Sequence, residues 1–116
     1  MRRKTASAIY GNLDLLILRT LSVSEPSHGL GIIDAIEKGS EGFMRVEDGA
    51  LYRSLHRLEA DGFLKADWRI SDKNRKAKFY ALTPSGEDEL TRAQQEWTRH
   101  TNAVGKILGV DWEIAS

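Results

Sequence analysis

The hydrophobic period of this chain changes at Gly62, and that change decides what it can fold into. Before it, Leu51, Leu55 and Leu58 stand at i, i+4 and i+7, one stripe of an amphipathic helix. After it, Leu64, Ala66, Trp68 and Ile70 alternate with Lys65, Asp67 and Arg69, as in a strand that buries one face. Residues 71–75 have the composition of a turn, and residues 76–82 read as the return strand. A helix therefore leads into a β-hairpin with a polar, basic tip, Lys73-Asn74-Arg75-Lys76, and Trp68 is expected in the hairpin's core.

The flanking segments are helical. Residues 13–21 are apolar almost all round, which suits a short buried helix with Asn12 as its cap. Ser24-Glu25-Pro26-Ser27 is a turn, and Ser27 is placed to cap a helix over about 28–38, with Ile32, Ile33 and Ile36 inward and Gly39 as its stop. A connection over 40–48 leads to the third helix, about 49–61, with Glu47 or Asp48 near its positive end. Thr83 and Pro84 then start a last helix that nothing but Gly105 interrupts before Leu108, roughly 24 residues or about 36 Å. Three short helices, a hairpin and a long helix define an α+β, mostly α fold. It is a winged helix-turn-helix over 1–83 with one long C-terminal helix and tail over 84–116, folded as one compact unit.

Composition narrows the function. A length of 116 residues fits one domain. No cysteine is present, which excludes a disulfide scaffold, a thiol nucleophile and a cysteine zinc site. No apolar run is long enough to span a membrane, and the basic start Arg2-Arg3-Lys4 is not followed by a signal-type apolar stretch. A cytoplasmic, nucleoid-associated protein is expected. No phosphate loop, dinucleotide fingerprint, metal cluster or paired nucleophile and base is readable, so neither an enzyme nor a cofactor is expected.

The formal net charge is zero, but its distribution is not even. Residues 65–78 hold six Lys/Arg against two acids, whereas residues 84–116 hold six acids against three bases. A polyanion within a Debye length of roughly 8–10 Å feels the local patch, not the sum. With Leu51, Leu55 and Leu58 facing the core, Arg53 and Ala60 point outward, flanked by Gly49, Ala50, His56 and Arg57, with Tyr52 to one side. Arg53 and Arg57 offer forked donors suited to guanine edges or phosphates; surface pairing with Asp48, Glu59 or Asp61 is the plainer reading. The basic hairpin beside them favours double-stranded DNA, with groove contacts from the helix and phosphate contacts from Lys73, Asn74, Arg75, Lys76 and Lys78. The rival is a winged helix that binds another protein, for which an exposed apolar patch would be the sign.

Three motifs resemble one family. Gly49-Ala50-Leu51-Tyr52-Arg53-Ser54-Leu55-His56-Arg57-Leu58-Glu59-Ala60-Asp61-Gly62 resembles a signature of the PadR-like transcriptional regulators. So do His28-Gly29-Leu30-Gly31-Ile32 and Arg75-Lys76-Ala77-Lys78-Phe79-Tyr80-Ala81-Leu82-Thr83-Pro84-Ser85-Gly86. The resemblance covers about 11–108, and the single last helix is similar to the family's smaller members. It implies a dimeric bacterial regulator, commonly a repressor, with Tyr52 and Arg57 on the recognition helix and Arg75, Lys76 and Lys78 on the wing. The chain departs from the family pattern at Ala50 (Ser/Thr), Arg53 (Pro), Leu30 (Tyr) and Phe79 (Tyr), so base preference does not carry over.

On the last helix Leu90, Trp97 and Val104 repeat every seven residues and Ala93, His100 and Ile107 fill the interleaved register, a short a/d seam suited to a homodimer. Packing on its own domain is the alternative. Trp97 is either filler in that seam or a platform for a small aromatic effector, with His100 one turn on. His28 suits a helix cap better than a metal ligand, because no second ligand stands at helical spacing from it. His56 is an exposed residue or a phosphate contact. Trp112 is expected to pack back on the partner or to be disordered, and the basic start is expected to be a solvated tail or a DNA-touching arm.

Overall fold

The computed structural model describes residues 12–110, so the basic start and Trp112 lie outside the described residues. Among the described residues four helices and one hairpin follow in the expected order: α1 Leu13–Ser22, α2 Gly29–Gly39, α3 Asp48–Ala60, β1 Leu64–Ile70, β2 Lys76–Leu82 and α4 Pro84–Leu108. The core is built where their apolar stripes meet. Ile17, Leu18, Ile32, Leu51, Leu55 and Tyr80 are each at most 1% exposed, and Leu13, Leu58 and Leu64 close the layer. Ile33 is packed against this cluster but only half-buried.

Local chemistry explains the element ends, with two corrections. His28, not Ser27, caps α2: the Gly31 N–H donates to His28 Nδ1 at 3.2 Å. Ser27 is used otherwise, because its backbone exchanges two hydrogen bonds with Tyr80 and extends the hairpin's reach to the α1–α2 turn. Asn12 makes no side-chain cap; its backbone carbonyl accepts from Leu16 instead. Thr83 caps α4 as expected, accepting from the Gly86 N–H at 3.0 Å and donating to the Gly62 carbonyl at 2.7 Å, with Pro84 at the first turn. Gly86 has to be glycine: a methyl there would collide with the Phe63 carbonyl oxygen, where the helix start crosses the chain entering the hairpin.

The hairpin pairs Leu64 with Leu82 and runs in register to Ile70 with Lys76. One correction concerns its face. Burial is complete at Leu64, partial at Ala66, and gone at Trp68 and Ile70, which are 60% and 64% exposed. The alternation is real, but the ribbon projects beyond the helices after its first turn of pleat, so Trp68 has no core to enter. Tyr80, its neighbour on the same face nearer the base, takes the buried place instead.

Candidate nucleic-acid interface

Helix α3 is oriented by what it buries. Leu51, Leu55 and Leu58 enter the core with Ala50 and Ser54 beside them, which leaves Gly49, Arg53, His56, Arg57 and Ala60 on the exposed side. Ala50 therefore presents no side chain outward: it is 7% exposed, because the buried stripe is one residue wider than the leucines alone indicate. Tyr52 is at the margin, its ring laid so closely over Gly29 that a side chain at position 29 would strike the phenol. That contact joins the start of α2 to the flank of α3.

The outer residues differ in what holds them. Among the described residues, Arg53 and His56 have no side-chain hydrogen bond or ion pair. Arg57 has both: one guanidinium nitrogen donates to the two carboxylate oxygens of Asp14 on α1, each at 2.7 Å, with Ser54 Oγ at 3.5 Å. Those bonds raise the Arg57 pKa, through the hydrogen bond first and the charge of Asp14 second. Lys78 is likewise engaged, its Nζ 3.0 Å from Glu59 Oε1 and above the Tyr80 ring. The bond to Glu59 raises its pKa. Two positions that the sequence offers as DNA contacts thus brace α3 against α1 and against the hairpin.

At the hairpin tip Lys73, Asn74, Arg75 and Lys76 are all exposed. The turn backbone is held: the Ser71 N–H donates to the Arg75 carbonyl at 2.7 Å and the Asn74 N–H to the Ser71 carbonyl at 2.9 Å. Asn74 sits at φ +58, a left-handed conformation that asparagine tolerates. The result is a tight loop that leaves its cations in solvent. On the far face of the ribbon the Arg69 guanidinium lies over the Phe79 ring, and Phe79 meets His28 edge-on with ring centroids 5.2 Å apart. Sequence reading missed this stack; the i, j cross-strand pairing of Ala77 and Phe79 with Arg69 and Asp67 is the signal that could have found it.

The seam residues of α4 divide in two. Leu90 is 8% exposed and belongs to the core of its own domain, since the first turns of α4 lie on α1; Ala93 is half-buried there. Farther along, Trp97 and Val104 are 37% exposed, His100 is exposed and Ile107 is 85% exposed. Leu90 is therefore not available to a partner, whereas Trp97, His100, Val104 and Ile107 are. The outer side of the helix is polar, with Arg92 bonded to Glu89 and Glu96. No helix is long and apolar enough to cross a membrane among the described residues, and no group of three or more metal-ligating side chains is found among them.

Comparison with known proteins agrees with this architecture. The model of the transcriptional regulator PadR-like family matches residues 17–92. A curated transcriptional regulator of Mycobacterium tuberculosis is 47% identical over 58 residues, 47% of this chain; the chain spans about half the length of that relative, 53%. A PadR-like transcription factor from Bacteroides fragilis superposes with TM-score 0.69 at 28% identity, over 90% of this chain and 98% of that one. A PadR family regulator from Eggerthella lenta gives TM-score 0.79 over 95% and 93%, and at 24% identity it speaks for the fold alone.

Proposed function

The chain belongs to the PadR-like family of transcriptional regulators, and from that premise we propose that it is a homodimeric, sequence-specific DNA-binding protein that represses transcription in the bacterial cytoplasm, at the nucleoid. The observation that carries this reading is the exposure of Arg53 and His56 on α3, which have no side-chain partner among the described residues, in a chain whose hairpin tip carries three exposed cations. Arg53 has the forked donor geometry for a guanine edge. Lys73, Arg75 and Lys76 suit phosphates on the flank, with Asn74 between them. Tyr52 borders the same surface.

Dimerisation supplies the second half of the site. Trp97, His100, Val104 and Ile107 form an apolar edge on the part of α4 that leaves its own domain, and a twofold contact along it would set two recognition helices at paired half-sites. Trp97, half-exposed on that edge, is also where a small aromatic effector would stack and release the DNA by changing the angle between the two α4 helices.

The test is fluorescence anisotropy with a duplex taken from upstream of the protein's own gene beside a shuffled duplex, at low and moderate salt. Preferential binding that survives moderate salt supports a sequence reader. Equal binding to both that salt abolishes would leave only phosphate attraction and overturn the sequence-specific part. No binding at low salt would overturn the DNA reading altogether.

A further inference from the structure

Trp68 and Ile70 stand on the hairpin with 60% and 64% of their surfaces in water, although they continue the row that begins with buried Leu64. An indole left this open, on the part of the ribbon that projects beyond the helices, fills no place in the core of its own domain. Its surroundings indicate what would cover it. Cross-strand pairing puts Trp68 opposite Lys78 and Ile70 opposite Lys76, so two apolar and two cationic side chains share one face. The Lys76 ammonium lies 5.7 Å from the Trp68 ring centroid. Lys78 in turn holds Glu59 of α3, which makes the face continuous with the end of the recognition helix.

The combination selects its partner. A second protein would want the apolar pair without a cation at each side, and its own acids would have to match them. The wall of a DNA groove offers both parts at once: deoxyribose carbons form an apolar strip, and phosphates line it at regular spacing. Resting on the proposed DNA-binding function, we propose that this hairpin contacts duplex DNA through an apolar surface, Trp68 with Ile70 laid against the deoxyribose edge flanking the recognition helix while Lys76 meets the adjoining phosphate. The wing then contributes affinity that salt does not remove, in addition to the ionic part that salt does. The contact reads no base, so it acts on any sequence.

That division is measurable without knowing the operator. Anisotropy titrations of a short mixed-sequence duplex over a series of salt concentrations compare wild type with Trp68→Ala, Trp68→Phe and Lys76→Ala. Loss of the indole contact weakens binding by about tenfold at every salt, leaving the slope against log salt unchanged, as expected for lost apolar burial. Trp68→Phe recovers most of that loss. Lys76→Ala lowers the slope by about one unit. Thermal melts and sedimentation of each variant accompany the titrations, and all should match wild type because the altered side chains are exposed. Wild-type protein that binds no duplex overturns the DNA-binding function and this inference with it. Wild-type binding that Trp68→Ala leaves intact, or a Trp68→Ala loss that appears only as a change of slope, overturns this inference alone. A Trp68→Ala variant that sediments with a smaller mass than wild type would assign the face to a second copy of the chain and also overturn it.

Discussion

A single guanidinium nitrogen of Arg57 bridges both carboxylate oxygens of Asp14, so the outer face of the recognition helix is tied directly to α1. The same helix is tied to the wing two residues later, where Glu59 accepts from Lys78. Arg57 and Glu59 therefore fix α3 against both α1 and the hairpin. Among the described residues this leaves Arg53 and His56 on the outer face of α3 without a side-chain partner, and Arg53 stands where the family pattern has proline.

Arg53→Ala is expected to weaken operator binding by about 1–3 kcal/mol and random DNA much less, as for one lost bidentate base contact. Arg57→Ala is expected to cost under about 1 kcal/mol on either DNA, because its guanidinium is already turned to Asp14, whose carboxylate neutralises its charge, and the exposed pair lost with it is itself worth little. Parallel titrations on operator and shuffled duplexes decide between them. A larger specific loss for Arg57→Ala than for Arg53→Ala would make Arg57 the base reader and Asp14 only its resting partner.

Asp14→Asn separates bracing from repulsion. Removing this carboxylate frees the Arg57 charge for phosphate, so non-specific affinity at low salt should rise and the salt slope steepen by about one unit. The melting temperature should fall slightly, since the pair is more than a third exposed on both sides. Unchanged affinity with the same slope would show that position 57 lies beyond reach of the phosphates.

The order of elements and most of their ends were legible in the sequence because they depend on local chemistry. The Gly62 stop, the Thr83 cap with Pro84, and the leucine stripe of α3 are all visible within a few residues. What escaped depends on where an element ends relative to its neighbours. Trp68 has the right alternation for a core residue, but the ribbon outruns the helices, a fact no period encodes. Ala50 and Leu90 carry the same lesson in reverse: sequence spacing puts each on a functional face, and each is buried because the domain's core is wider there than one stripe. The engagement of Arg57 with Asp14 joins residues 43 positions apart, which spacing cannot show.

The two ends of the α4 apolar row should respond differently to a charge. Val104→Asp, at a half-exposed site past the domain, is expected to yield a folded monomer with a wild-type melting curve at the monomer level. Leu90→Asp places an unpaired carboxylate among α1 and hairpin side chains and should unfold the domain, a loss above about 3 kcal/mol. Sedimentation with circular dichroism reads both. A Val104→Asp protein that remains dimeric would move the interface elsewhere.

Gly86→Ala tests the crossing of α4 over the chain at Phe63. The obstacle is a backbone carbonyl, which cannot swing aside as a side chain would. The helix start must shift, with a cost of about 1–3 kcal/mol, as for other overpacked sites. Urea midpoints measure it, and a variant as stable as wild type would mean that Thr83 and the hairpin end yield together.

Alkaline pH offers a last test, because two groups at the hairpin base act in the same direction. Burial raises the Tyr80 phenol above its ordinary 10.0, and the Glu59 bond raises the Lys78 ammonium above its ordinary 10.5. In each case the native state keeps a proton that the unfolded chain gives up sooner. Their stabilisation is therefore complete below about pH 10 and is lost as pH rises through the higher native values. Urea midpoints should be flat up to that pH and then fall, while Tyr80→Phe, which keeps the ring but cannot ionise, should fall less steeply. A Tyr80→Phe curve parallel to wild type would show that the phenol's burial contributes nothing to the alkaline transition.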